Sequence, residues 1–265
     1  MASIVNPVRL LFCAILALTV AGVSGAGSQD VSVSLHVGGQ SRTYLLYVPT
    51  SPAGRVPLII AFHGHGGSGM WQRAVSGFDS LSDRYGFIVA YPDGIRRGWN
   101  DGRTTADVNG ADDLGFIRAL IADLESRYSI DPKRIYATGM SNGATFSQYL
   151  ACNEGSLIAA IAPVSGSMPT SIVASCHPAR PISVLEIGGT ADPLMPYRGG
   201  AITFFGRTHG DVLSVDRSVA FWAKNAGCGP SPVTTPLPAI APPDGTTIVR
   251  STYSGCRAGT GVVQY

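Results

Sequence analysis

From Pro57 onward the sequence alternates short apolar runs with stretches of helical period, and this alternation limits the fold more than any single residue does. "PLIIAFHG" precedes a helical pattern near Met70 to Tyr85, and "GFIVAYPDG" precedes another near Asp112 to Tyr128. In the second, Leu114, Ile117, Leu120, Ile121 and Leu124 fall on one face. "RIYATG", "IAAIAPVSG" and "ISVLEIGG" continue as strands, with helices from Asn142 to about Cys152 and from Ser214 to Asn225, before "TTIVRSTY" and "GVVQY". Apolar strands alternating with helices predict an α/β fold whose mainly parallel sheet is covered on both faces. Ahead of it Val31, Val33, Leu35 and Val37 alternate with polar residues and Gly38-Gly39 turns the chain back, which predicts an antiparallel N-terminal hairpin. The 265 residues, 45% hydrophobic and 14% charged, suffice for one domain with a large core. The Pro-rich "CGPSPVTTPLPAIAPPDG" reads as a long surface loop and not a domain boundary.

Residues 1–26 stand apart from that pattern. Arg9 precedes the apolar run Leu10 to Val23, and Ser24 and Ala26 occupy the small-residue positions of a cleavage site. The run falls short of the roughly 18–20 residues that span a bilayer. A removable secretory leader is expected, leaving 27–265 as the folded domain in an extracellular or periplasmic setting. Removing Arg9 brings the formal charge of +2 nearer zero, and no run of Lys or Arg offers a footprint for nucleic acid or for a membrane surface. A monomer is expected. Cys13 leaves with the leader, so Cys152, Cys176, Cys228 and Cys256 remain, an even number that suggests disulfides in an exported chain. Of three connectivities, sequential pairing as Cys152–Cys176 and Cys228–Cys256 is the simplest; four free thiols is the alternative. No clustered Cys/His spacing points to zinc.

"TGMSNGA" places Ser141 between a strand and a helix, with Gly139 and Gly143 two residues to either side. In that context G-x-S-x-G forms a nucleophile elbow: the turn is so sharp that side chains at the glycines would collide, and the hydroxyl projects from the sheet's edge. Glycine and serine are common enough here that the motif alone is weak, so its setting carries the reading. Acyl transfer also needs backbone N–H donors aimed at a developing oxyanion. "FHGHGGSG" follows an apolar strand as such a loop would, with the His65 amide as one donor and the Asn142 amide, at a helix N-terminus, as the other. Metal binding by His63 and His65 lacks a third ligand at suitable spacing. In a chain order of Ser, acid, His, the acid lies in a loop after a later strand; "ISVLEIGGTADPLMPY" offers Asp192 there, while Glu186 is inside the strand itself. Trp99, Tyr197, Phe204 and Phe205 are candidates for an apolar acyl or aromatic pocket, with ordinary core packing as the alternative. Acyl transfer by these groups needs no cofactor.

The segments "YLLYVP", "FHGHGGSG", "YPDGIRRGWN", "ADDLGFIRALI", "DPKRIYATGMSNGA", "IAAIAPVSG", "GGTADPLMPY" and "VAFWAKNAGC", in this order, resemble the secreted polyhydroxybutyrate depolymerase and feruloyl or acetylxylan esterase family, a branch of the α/β-hydrolases. The resemblance runs from about Tyr44 to the C-terminus. It implies an α/β-hydrolase fold and a secreted serine esterase acting on polyester, feruloyl or acetyl esters. Ser141 would be its nucleophile, Asp192 its triad acid, and His65 and Asn142 its oxyanion hole, with Trp99, Asn100 and Asp113 supporting the site. One feature departs from the pattern. Family members carry their triad histidine after a last strand, in a segment resembling "GGGHxWPG", and this sequence reads "CRAGTGVVQY". His36, His63, His65 and His177 precede Asp192; His209 alone follows it, but ahead of the Ser214 helix. The expectation is an esterase whose domain continues past Tyr265 to its histidine. The alternative is a catalytically impaired protein of the same fold that binds a polymer or glycan.

Overall fold

The computed structural model describes residues 29–50, 54–103, 110–238 and 245–265, so the expected leader lies outside the described residues. β1 (Gln29–Val37) and β2 (Gln40–Val48) form the N-terminal hairpin, paired antiparallel from Gln29↔Val48 to Val37↔Gln40. There follow β3 (Val56–Phe62), β4 (Ile88–Pro92), β5 (Ile130–Met140), β6 (Ala160–Val164) and β7 (Ser183–Glu186). β10 (Val233–Leu237), β11 (Ile248–Tyr253) and β12 (Val262–Gln264) complete a ten-stranded sheet in the order β1-β2-β4-β3-β5-β6-β7-β12-β11-β10. The centre from β4 to β12 is parallel, as the alternation predicts, and both flanks are antiparallel.

Period-2 patterning of β3 explains the layers. Leu58, Ile60 and Phe62 join the main core with residues of α3 (Asp113–Arg127), α4 (Asn142–Glu154) and α5 (Val215–Asn225). Ala61 and Ile59 join a smaller core with Phe78 of α2 (Phe78–Tyr85), on the other face. α1 (Gly69–Ser76) begins where the Ser68 hydroxyl accepts from the Trp71 amide. It ends at Gly77, whose φ of 61° breaks the single helix expected over Met70 to Tyr85 into α1 and α2. α3 is capped by the Asp112 carboxylate, which accepts from Gly115 N at 2.8 Å.

One further expectation needs correction. Within the supposed Pro-rich loop, Val233–Leu237 forms edge strand β10; Pro236 pairs opposite Val249 there, at a sheet border where a missing N–H costs little. At β7, Val184 and Glu186 are buried, whereas Leu185 and Ile187 remain 38% and 39% exposed. A separate two-stranded sheet, β8 (Gly200–Phe204) with β9 (Arg207–Val212), stands outside the main one and was not legible as strands. The disulfides Cys152–Cys176 and Cys228–Cys256 both form, the sequential pairing.

Candidate active site

Ser141 occupies the turn between β5 and α4 with φ 54° and ψ −117°, a conformation that a residue with a Cβ adopts only when its surroundings impose it. Packing imposes it here. A Cβ on Gly139 would lie 2.6 Å from the Gly143 carbonyl, and one on Gly143 would lie 2.5 Å from the Phe62 carbonyl oxygen. α4 therefore approaches β5 at Gly139 and the end of β3 at Gly143 more closely than any other residue type at those positions allows. The Ser141 amide donates to Val164 O at 2.9 Å, tying the elbow to β6, while its carbonyl accepts from Ala144 and Thr145 at the start of α4. The Ser141 side of the turn is half-buried and opens on a cleft of about 400 Å³ lined by His65, Trp71, Arg97 and Leu194 among others.

The two histidines of "FHGHGGSG" have separate fates. His63 is fully buried; its Nδ1 donates to Gly64 O at 2.7 Å and its Nε2 accepts from Gly94 N at 3.0 Å. Burial lowers its pKa against the smaller opposing effect of the Gly64 carbonyl, so the ring is neutral and braces the loop. His65 is exposed at the cleft beside Ser141. Among the described residues no acceptor takes the His65 or the Asn142 amide proton, whereas the Gly66 and Gly67 amides are bound to Arg97 O and Gly64 O.

Asp192 lies in the loop that follows β7. Its Oδ1 accepts from the Leu194 and Met195 amides, each at 2.9 Å, which fixes the carboxylate in a tight turn. Leu194 of the same turn reaches the Ser141 cleft. Asp192 itself borders a neighbouring cleft of about 1040 Å³ that also takes in Ile187, Tyr197, Gln264 and Tyr265. Tyr197 there donates to Asp216 at 3.0 Å and accepts from Gln264 Nε2 at 2.7 Å. At the end of β12, Gly188 N donates to Tyr265 O at 3.0 Å.

Trp99, Asn100 and Asp113 sit behind the cleft instead of lining it. Trp99 is fully buried, stacked on Phe146 with centroids 5.2 Å apart, and donates from Nε1 to His63 O at 2.9 Å. Its role is core packing beneath the loop, and the idea of a pocket wall fails for it. Asp113 accepts from Asn100 N at 2.7 Å and from Arg42 at 2.5 Å. Burial nonetheless raises the Asp113 pKa, because desolvation outweighs the favourable Asn100 and Arg42 contacts. Phe205 is 97% exposed at the β8–β9 tip, while Phe204 stacks on His209 at 3.6 Å and lies 5.9 Å from the His65 ring.

Sequence reasoning assigned Asn142 its amide alone and missed what its side chain holds. Oδ1 accepts from Trp99 N at 2.7 Å; Nδ2 donates to Trp99 O at 3.0 Å and to Asp101 at 2.7 Å. Asp101, Arg103 and Thr145 complete that buried group. A second one joins Gln148, Ser218, Trp222 and Glu186 beneath α4. The available signals were opposite charges two apart in "NDGR" and a glutamine on the apolar face of a helix. Among the described residues no three His, Cys, Asp or Glu side chains gather as a metal site.

The family model for esterase PHB depolymerase matches residues 42–197, a span that includes the elbow, the "FHGHGGSG" loop and the Asp192 turn. Feruloyl esterase B of Piromyces equi is 34% identical over 66% of this chain and 33% of its own length. Feruloyl esterase C of Emericella nidulans is 28% identical over 99% of this chain and 89% of its own length. The chain spans about half or less of several curated relatives, covering 48% of the Nocardia uniformis protein NocK and 23% of a bifunctional acetylxylan esterase/xylanase of Neocallimastix patriciarum. Among solved structures, the acetyl xylan esterase from Aspergillus awamori superposes with a TM-score of 0.58 at 18% identity, over 86% of this chain and 88% of that one. That likeness establishes the α/β-hydrolase fold, and together with the matched span it places the molecule: the chain belongs to the esterase PHB depolymerase family.

Proposed function

We propose that the protein is a secreted serine esterase that hydrolyses carboxylic esters through an acyl-enzyme. The Ser141 oxygen attacks the ester carbonyl carbon and the carbonyl electron pair moves to oxygen, where the His65 and Asn142 amides stabilise the charge. Collapse expels the alcohol with the proton taken from Ser141, and water then repeats the sequence to release the acid. Asp192 orients the histidine that carries this proton and stabilises its charged form. The observation that carries the whole reading is the imposed backbone of Ser141, φ 54° and ψ −117°, at a strand-to-helix turn.

The substrates in this proposal are polyhydroxybutyrate-type polyesters or the feruloyl and acetyl esters of plant cell walls, in keeping with the names of the relatives. The enzyme works as a monomer without a cofactor, after loss of residues 1–26. Two disulfides favour an oxidising compartment. The test is hydrolysis of nitrophenyl acetate, methyl ferulate and polyhydroxybutyrate by protein expressed from its complete coding sequence. Ser141→Ala is expected to lower kcat by about 10³-fold or more. Wild-type rates in that variant would move the nucleophile elsewhere. Retention of a polymer on the protein without turnover would favour the binding role.

A further inference from the structure

The carboxylate of Asp101, fully buried, accepts from Asn142 Nδ2 at 2.7 Å, from the Thr145 hydroxyl at 2.5 Å and from Arg103 Nε and Nη2 at 2.9 and 2.5 Å. Arg103, only 8% exposed, uses its remaining Nη1 to reach the carbonyl of His209 in β9, at 3.0 Å. Gly210 lies flat against the same arginine, where an added Cβ would stand 3.1 Å from Cδ. One ion pair thus joins three segments: the first turn of α4 beside Ser141, the loop from Trp99 to Arg103, and the β8–β9 hairpin outside the main sheet. The hairpin's His209 ring is stacked on Phe204, and both rings approach His65 on the far side, at 6.4 and 5.9 Å.

A buried ion pair gives up most of its Coulomb attraction to desolvation, so stability is a weak reason for placing one here. Geometry is a better one. The bidentate fork of arginine and the five donors on one carboxylate, the Arg103 amide among them at 3.1 Å, leave the Asn142 side chain and the His209 backbone little freedom relative to each other. We propose that Asp101 and Arg103 are a positioning pair that sets the Asn142 amide beside Ser141 and, in the same unit, holds the Phe204–His209 slab against His65, which lines the cleft. The inference rests on Ser141 being the nucleophile, and it goes further by making turnover and selectivity for the bulk of the ester depend on two residues that touch no substrate.

The experiment compares wild type, Arg103→Lys, the double variant Asp101→Asn/Arg103→Gln and Ser141→Ala, all from the complete coding sequence. Each is assayed with a methyl-sized and a ring-bearing nitrophenyl ester and melted thermally. The double variant removes both charges without stranding either. It is expected to lose at least tenfold in kcat on both esters, with little change in KM for the small one, and to lose most of the wild-type preference between the two. Arg103→Lys, which keeps the charge but not the fork, should fall between. A double variant that melts lower yet keeps wild-type kcat and preference would reduce the pair to a structural brace and overturn the proposal. Should the double variant not fold, Arg103→Lys with unchanged kcat and preference overturns it equally. If Ser141→Ala matches wild type, or wild type hydrolyses neither ester, the underlying esterase reading falls first.

Discussion

Ser141 and Glu186 show how far single residues here depart from their ordinary states. Glu186 is fully buried on β7, its Oε2 accepts from Gln148 at 3.1 Å, and among the described residues no cation pairs with it; burial raises its pKa well above the usual 4.5. The native state therefore keeps a proton that the unfolded chain releases near pH 4.5. Since the native state binds more protons across that window, stability falls as pH rises from about 4.5 toward the raised native value, by about 1.4 kcal/mol per pH unit. Glu186→Gln keeps the shape and removes the titration. Its advantage over wild type in urea unfolding is expected to be small at pH 4 and to grow toward pH 7; an advantage independent of pH would show that Glu186 is not held neutral. Ser141 was readable because its neighbours must be glycine. Asp101, Arg103 and Gln148 were not, because a polar residue in sequence carries no mark of the partner it will find across the fold.

At the scale of elements, the apolar runs of the central sheet and the helices between them were legible: β3 to β7 and α3 to α5 fall close to where the sequence pattern put them. What failed has local causes. The break at Gly77 was hidden because the apolar pattern continues through it, and only its positive φ separates α1 from α2. No atom lies within 4 Å of a Cβ built there, so Gly77→Ala meets only the cost of the left-handed conformation, roughly 1–2 kcal/mol, partly offset by a less flexible unfolded chain. A net loss of about 1 kcal/mol is expected by chemical denaturation, with Gly77→Asn losing less; equal stability of Ala and Gly would refute the left-handed cap. β8 and β9 escaped notice because "GAITF" and "RTHGDV" bury little: Ile202 and Val212 pack on Met195, and most of the other side chains are exposed or half-buried. β10 escaped because proline tolerates an edge strand.

Across the whole molecule, the sheet delivers the His65 loop, Ser141 and the Asp192 turn to the carboxyl ends of the parallel strands β3, β5 and β7, which is where an open α/β sheet leaves a crevice. The disulfides tie down segments away from that crevice. Cys152 at the end of α4 and Cys176 close a separation of 24 residues, worth about 3 kcal/mol by loop entropy. Cys152→Ser with Cys176→Ser is therefore expected to lower Tm by roughly 6–12 °C, without moving Ser141 reactivity in the protein that remains folded. A parallel loss of reactivity per folded molecule would mean that the bridge also shapes the site.

The most direct measurement is mass spectrometry of the protein, expressed from its complete coding sequence, after treatment with a fluorophosphonate. A single adduct is expected on the peptide containing Ser141, absent in Ser141→Ala and formed much more slowly in Asp192→Asn. An adduct on another serine, or ester hydrolysis that continues in Ser141→Ala with no adduct at all, would contradict that expectation.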